Sequence, residues 1–106
     1  MTLNIKRNDT RYAINAKLKH PNGSPVDLSD TVVTFTMSNL NNVIKISREA
    51  EIIDAENGDV RFSFEHGETN VLGIMKAEFK CEFTDSSIET FPNRGYIVIN
   101  FEKDLA

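Results

Sequence analysis

Three side chains in this 106-residue sequence carry the chemistry that nucleophilic or acid–base catalysis needs near neutral pH: the thiol of Cys81 and the imidazoles of His20 and His66. A cysteine–histidine enzyme needs its thiol partly exposed, in an electropositive setting, with an imidazole within reach. Cys81 sits instead in the run Lys-Ala-Glu-Phe-Lys-Cys-Glu-Phe at 76–83, where it shares the apolar phase with Ala77, Phe79 and Phe83. It is expected to be a buried small hydrophobe, and as the one cysteine of the chain it cannot form an internal disulfide. His20 and His66 lie 46 residues apart, both in turn-forming sequence, and are expected to be solvated. One Cys and two distant His give no zinc-ligand spacing.

The remaining chemical motifs are equally thin. Asp54-Ala55-Glu56-Asn57-Gly58-Asp59 alternates acids before a glycine as a calcium loop does, but Gly58 falls fifth from Asp54 where such a loop places its glycine sixth. The segment reads as a hairpin turn. Glycines stand at 23, 58, 67, 73 and 95 with no Gly-x-Gly, so no phosphate-cradling loop is present. Asn8-Asp9-Thr10 and Asn22-Gly23-Ser24 satisfy the glycosylation sequon, yet residues 1–10 hold no apolar stretch of the kind that leads secretion. The expectation is a protein without catalytic residues, metal or cofactor.

The elements that position these groups are strands. Alternation with period two places Ala77, Phe79, Cys81 and Phe83 on one face and Lys76, Glu78, Lys80 and Glu82 on the other. The same pattern unites Tyr12, Ile14, Ala16 and Leu18, then Val33, Phe35 and Met37, then Val60, Phe62 and Phe64, then Ile97, Ile99 and Phe101. A weaker sixth strand runs through 43–46 and 50–53, split by a bulge. Turn residues fall between, with Asn-Gly at 22 and 57 the strongest hairpin signals. A short helical turn is expected at 68–73, closed by Gly73, and residues 1–4 are either a flexible arm or the first strand. About seven short strands in about 100 residues describe an all-β fold, an Ig-like antiparallel β-sandwich without a disulfide, as a single domain over 1–106. The Trp and paired cysteines of antibody domains are absent.

Composition bounds the partners. The chain is 40% hydrophobic and 26% charged, ordinary for one globular domain, and its longest apolar run is the four residues 96–99 against the roughly 20 of a membrane helix. A net charge of −4 gives no overall attraction to nucleic acid or to an anionic membrane. Neither is expected as a partner. The charge is unevenly spread: residues 1–20 carry Lys6, Arg7, Arg11, Lys17 and Lys19 against Asp9, while residues 49–68 carry seven carboxylates against Arg61. Such a distribution suits head-to-tail packing of copies.

Three stretches, taken together, bear a family likeness. They are Ile5-Lys6-Arg7-Asn8-Asp9-Thr10 with the later Pro21-Asn22-Gly23-Ser24-Pro25-Val26-Asp27-Leu28, then Gly58-Asp59-Val60-Arg61-Phe62-Ser63-Phe64 with Lys76-Ala77-Glu78-Phe79, and Thr90-Phe91-Pro92-Asn93-Arg94-Gly95-Tyr96-Ile97. Over about residues 3–105 the chain resembles the N-terminal domain of the phage baseplate upper protein family, an Ig-like module of siphophages and prophages of Gram-positive bacteria. The Thr90-Phe91-Pro92-Asn93 turn is its sharpest piece. The resemblance implies a non-enzymatic virion component, made in the bacterial cytoplasm, that docks on neighbouring proteins of the tail tip or baseplate and self-associates as a trimer or hexamer on the particle. It also leaves two expectations for the chain itself: a domain of a longer protein, or a short relative that lacks the receptor-binding part.

Two surfaces are expected to make the contacts. Phe91, Pro92, Asn93, Arg94 and Tyr96 combine aromatics with Arg, the composition of interface anchors. Lys6, Arg7 and Arg11 suit an acidic patch on a neighbour. Three other readings use the same fold: a capsid or tail decoration protein, a small intracellular protein that inhibits a host factor, and a carbohydrate-binding adhesin, which the lack of Trp disfavours.

Overall fold

The computed structural model describes residues 2–105, which form nine strands and, among those residues, no helix. The strands are β1 (Thr2–Lys6), β2 (Ala13–Lys17), β3 (Val32–Asn39), β4 (Ile44–Glu49), β5 (Glu51–Asp54), β6 (Asp59–Ser63), β7 (Gly73–Glu82), β8 (Ile88–Phe91) and β9 (Ile97–Glu102). Each expected alternation becomes a strand with one buried face: Val33, Phe35 and Met37 on β3, Val60 and Phe62 on β6, Ala77, Phe79 and Cys81 on β7, and Ile97, Ile99 and Phe101 on β9.

Two sheets face each other as a β-sandwich. The larger runs β1-β9-β7-β3-β4 with β8 also paired to β7, and the smaller runs β2-β6-β5. Ten-residue β7 is its spine: β3 pairs along one side, while β9 and then β8 share the other. The pairings are antiparallel apart from β1 with β9, which is parallel. Residues 2–4 are therefore strand rather than arm, and Met1 lies outside the described residues. The six alternating stretches, expected to give about seven strands, give nine because β1 forms, the weak sixth stretch divides, and four-residue β8 is too short for alternation to reveal.

The division is functional for the architecture. At buried Ala50 the chain leaves one sheet for the other: its amide donates to the Val33 carbonyl at 2.8 Å, while Glu51 already pairs with Arg61. The β4–β5 segment thus closes one edge of the sandwich. Just beyond, the Asn57-Gly58 turn joins β5 to β6 as expected, and only glycine fits: Gly58 has φ +70°, and a Cβ there would stand 2.5 Å from the Leu18 carbonyl oxygen.

Three local expectations are corrected. Tyr12, expected inward, is 40% exposed, and Phe83 is only partly buried, because each lies just outside the paired stretch of its strand. Residues 68–73 form no helical turn. The chain makes tight turns bonded Glu68 to Glu65 and Asn70 to Gly67, Gly73 already belongs to β7, and the Thr69 carbonyl is drawn aside to accept from the Asn8 amide at 3.1 Å.

Candidate functional site

Opposite the closed edge, the sandwich is open. Phe91 ends β8 and Ile97 begins β9, both paired along β7, so residues 92–96 leave the sheet as a loop that arches toward β2 of the other sheet. Between this loop and residues 16–19 lies a groove of about 400 Å³. Its floor is the end of the hydrophobic core, Leu18, Phe79, Phe91 and Ile97, and its rim carries Lys17, Lys19, Arg94 and Tyr96.

The loop is held by its own residues. The Asn93 amide donates to Glu89 Oε2 and to the Thr90 carbonyl, both at 3.0 Å, the Phe91–Pro92 peptide is cis, and Gly95 takes φ +71°. Tyr96 is 49% exposed and lies with its ring 4.8 Å from Lys76 Nζ, which also donates to Asn42 Oδ1 at 2.6 Å. That cation–π contact fixes the ring against the outer face of the larger sheet. Lys17 shares its charge with Asp59 at 3.4 Å, whereas Lys19 and Arg94 have no ion-pair partner among the described residues. The site is an apolar slot with a cationic rim, chemistry suited to binding rather than to bond making.

The structure thus brings the first expected surface together with Lys17 and Lys19, and sets the second apart. Lys6 ends β1, the strand beyond β9 in the larger sheet, and Arg7 follows it, while Arg11 is exposed before β2; none of the three lines the groove. Arg7 is engaged internally, its Nη2 2.7 Å and its Nε 2.9 Å from Asp104 Oδ1, and this hydrogen bond holds the Asp104 carboxyl below the usual carboxylate range. The charged segments meet in the smaller sheet rather than standing wholly apart. β2 lies antiparallel to β6 with Lys17 opposite Asp59, and the first acids of the segment, Glu49 and Glu51, fall on the closed edge.

One cluster escaped sequence reading altogether. The Arg48 guanidinium forms a fork on Glu68 with two bonds of 2.9 Å, reaches Glu65 at 3.8 Å, donates to the Ser63 carbonyl, and lies 4.2 Å above the Phe62 ring. Glu68 is held below its ordinary range chiefly by that bond, and Arg48 is pushed up by it. No periodic signal links positions 48 and 68, and the cluster pins a loop rather than offering a site. Cys81 is fully buried, and burial, with the nearby Glu89 charge adding, raises its thiol to about 11. His20 and His66 are exposed, and no group of three His, Cys, Asp or Glu among the described residues is placed to hold a metal ion.

Fold and site together define an all-β sandwich module with a cationic apolar groove at its open edge. Residues 3–96 match the family model of the BppU N-terminal domain, the N-terminal domain of the baseplate upper protein, and the chain belongs to that family. No curated protein matches the chain. The family is that of a phage baseplate structural protein, which points to a non-enzymatic role, implies association with other virion proteins and implies a place in the virion tail.

Proposed function

We propose that this chain is an Ig-like assembly module of the tail tip or baseplate that works by docking on neighbouring virion proteins, copies of itself among them, through the groove at its open edge. One observation carries the reading: a groove over the buried core residues Leu18, Phe79, Phe91 and Ile97 is rimmed by Lys19 and Arg94, neither of which has an ion-pair partner among the described residues. Apolar floor with a polar, partly aromatic rim is the anatomy of a contact site. Arg94 is its anchor, Tyr96 extends the contact onto the adjoining outer face of the larger sheet, and Lys17 and Lys19 steer the approach of an acidic surface.

The test is immunogold electron microscopy of purified particles with antibody against this domain, repeated with the Arg94→Glu/Tyr96→Ala variant. Label at the tail tip, lost in the variant, is the expected result. Label over the head would convert the reading to capsid decoration. Absence from particles, with the protein present in infected cells, would overturn the virion role in favour of a host target.

A further inference from the structure

The two sheets are unequal. Three strands, β2-β6-β5, face a larger sheet of six, and β2 pairs with β6 on one side only. Bonds on either side of Lys17 and Lys19 fix where the free backbone of this segment points: the Leu18 amide donates to the Gly58 carbonyl and the His20 amide to the Ser24 carbonyl, both at 2.8 Å. Successive backbone groups of an extended chain point to opposite sides, so the amides and carbonyls of Lys17 and Lys19 turn away from β6. Both residues line the groove. The groove therefore stands where a fourth strand of the smaller sheet would run, facing Phe79, Phe91 and Ile97 of the larger one.

The side chains along this edge set the pattern of such a strand. Ala16 and Leu18 turn toward the core, while Lys17 and Lys19 are exposed on the outer face. In an added strand, a side chain opposite Ala16 or Leu18 enters the apolar slot, and one opposite Lys17 or Lys19 stays outside. The outer positions favour acids, since Lys19 and Arg94 have no ion-pair partner among the described residues. We infer that the occupant of the groove is an extended segment of another virion protein, with apolar residues alternating with Asp or Glu, that adds to β2 as a fourth strand. Its apolar side chains fill the slot, its carboxylates meet the rim cations, and its backbone bonds to that of Lys17 and Lys19. The inference rests on the docking role proposed for the groove and names the chemistry of its partner.

The probe is a synthetic peptide of alternating Val and Asp, titrated at low ionic strength into the isotope-labelled chain and followed by NMR. Signals of residues 16–19 and 91–97 are expected to shift, and the Lys17 and Lys19 amides to exchange with solvent more slowly. Alternate amides of a strand face one neighbour. Methylating the peptide amides of one residue type, Val or Asp, should therefore weaken binding about tenfold or more, and methylating those of the other should leave it unchanged. Lys19→Glu/Arg94→Glu, checked for folding by circular dichroism, should bind the peptide about fivefold more weakly and prefer a Val-Lys alternation. No binding of the alternating peptide, equal binding of a peptide with the same residues in two blocks, or binding that survives both methylations overturns the inference. The docking role is tested separately on particles. Loss of the Arg94→Glu/Tyr96→Ala variant from the tail tip, with no peptide bound in solution, sinks the added strand and leaves the docking role standing. Strand-like peptide binding by a chain whose groove variant keeps its place on the particle sinks the docking role and keeps the strand acceptor.

Discussion

The ring of Phe35 on β3 stacks on that of Phe62 on β6, centroids 4.0 Å apart and planes inclined by 17°, and so joins the two sheets at the middle of the core. Phe79 and Phe64 meet Phe35 edge-on at 5.3 and 6.5 Å, and Phe64 passes the contact to Phe101 at 6.2 Å. The T-shaped contacts around the stack have the edge-to-face geometry that aromatic quadrupoles favour. Both stacked rings are almost wholly buried, and the outer side of Phe62 is covered by the Arg48 guanidinium.

Replacing either ring empties the centre of the sandwich. Phe62→Ala is expected to cost about 3–5 kcal/mol, and Phe62→Leu, which keeps most of the volume, under about 2 kcal/mol. Urea unfolding followed by far-ultraviolet circular dichroism measures both. Equal losses would show that the stack is not the seam between the sheets.

Gly58 and Gly23 separate two penalties. Both have positive φ, but a Cβ at Gly23 meets nothing within 4 Å, while one at Gly58 runs into the backbone of Leu18 and Val26. Gly23→Ala should therefore cost about 1 kcal/mol, the price of the left-handed backbone alone. Gly58→Ala should cost clearly more, read as a larger fall in thermal midpoint.

Acid should loosen the 65–69 turn. Glu68 is held below the carboxylate range first by the hydrogen bond from Arg48, against the opposing effect of burial, with the Glu65 amide at 2.6 Å and the Arg48 charge adding. A carboxyl whose pKa is lowered by folding binds fewer protons in the folded state, so its stabilisation is full above the unfolded value of about 4.5 and is lost as pH falls through the folded one. Arg48→Met should flatten that dependence. Unfolding free energies at about pH 6 and about pH 3 are expected to differ less in the variant than in the wild type.

Cys81 should be silent until the sandwich opens. With no exposed surface and its thiol raised to about 11, it holds almost no thiolate at neutral pH. Labelling by an aromatic disulfide reagent at about pH 8 should follow the rate of opening and accelerate in urea. Immediate labelling of the native chain would contradict this burial.

Much of this protein was legible in its sequence because alternation is a local property. Lys76 to Glu82 can bury Ala77, Phe79 and Cys81 only as a strand, whatever pairs with it, and the same logic gave the inward faces of β3, β6 and β9. The Asn57-Gly58 turn was likewise readable from the residues that tolerate positive φ. Phe91, Pro92, Asn93, Arg94 and Tyr96 stand out by a similarly local signal, an excess of aromatic, Pro and Arg, and all five line the groove.

What only the tertiary structure decided was company. Arg48 finds Glu68, Arg7 finds Asp104, and Lys17 and Lys19 come to face Arg94 across the open edge, through pairings between segments that carry no shared period. The division of one weak strand at Ala50 depends on which sheet has room for each half, and that same crossing closes one edge of the sandwich while the other stays open. Alternation states which face of a strand is buried. Which strands end a sheet, and so which backbone and which charges remain free for a partner, follows only from the order in which all of them assemble.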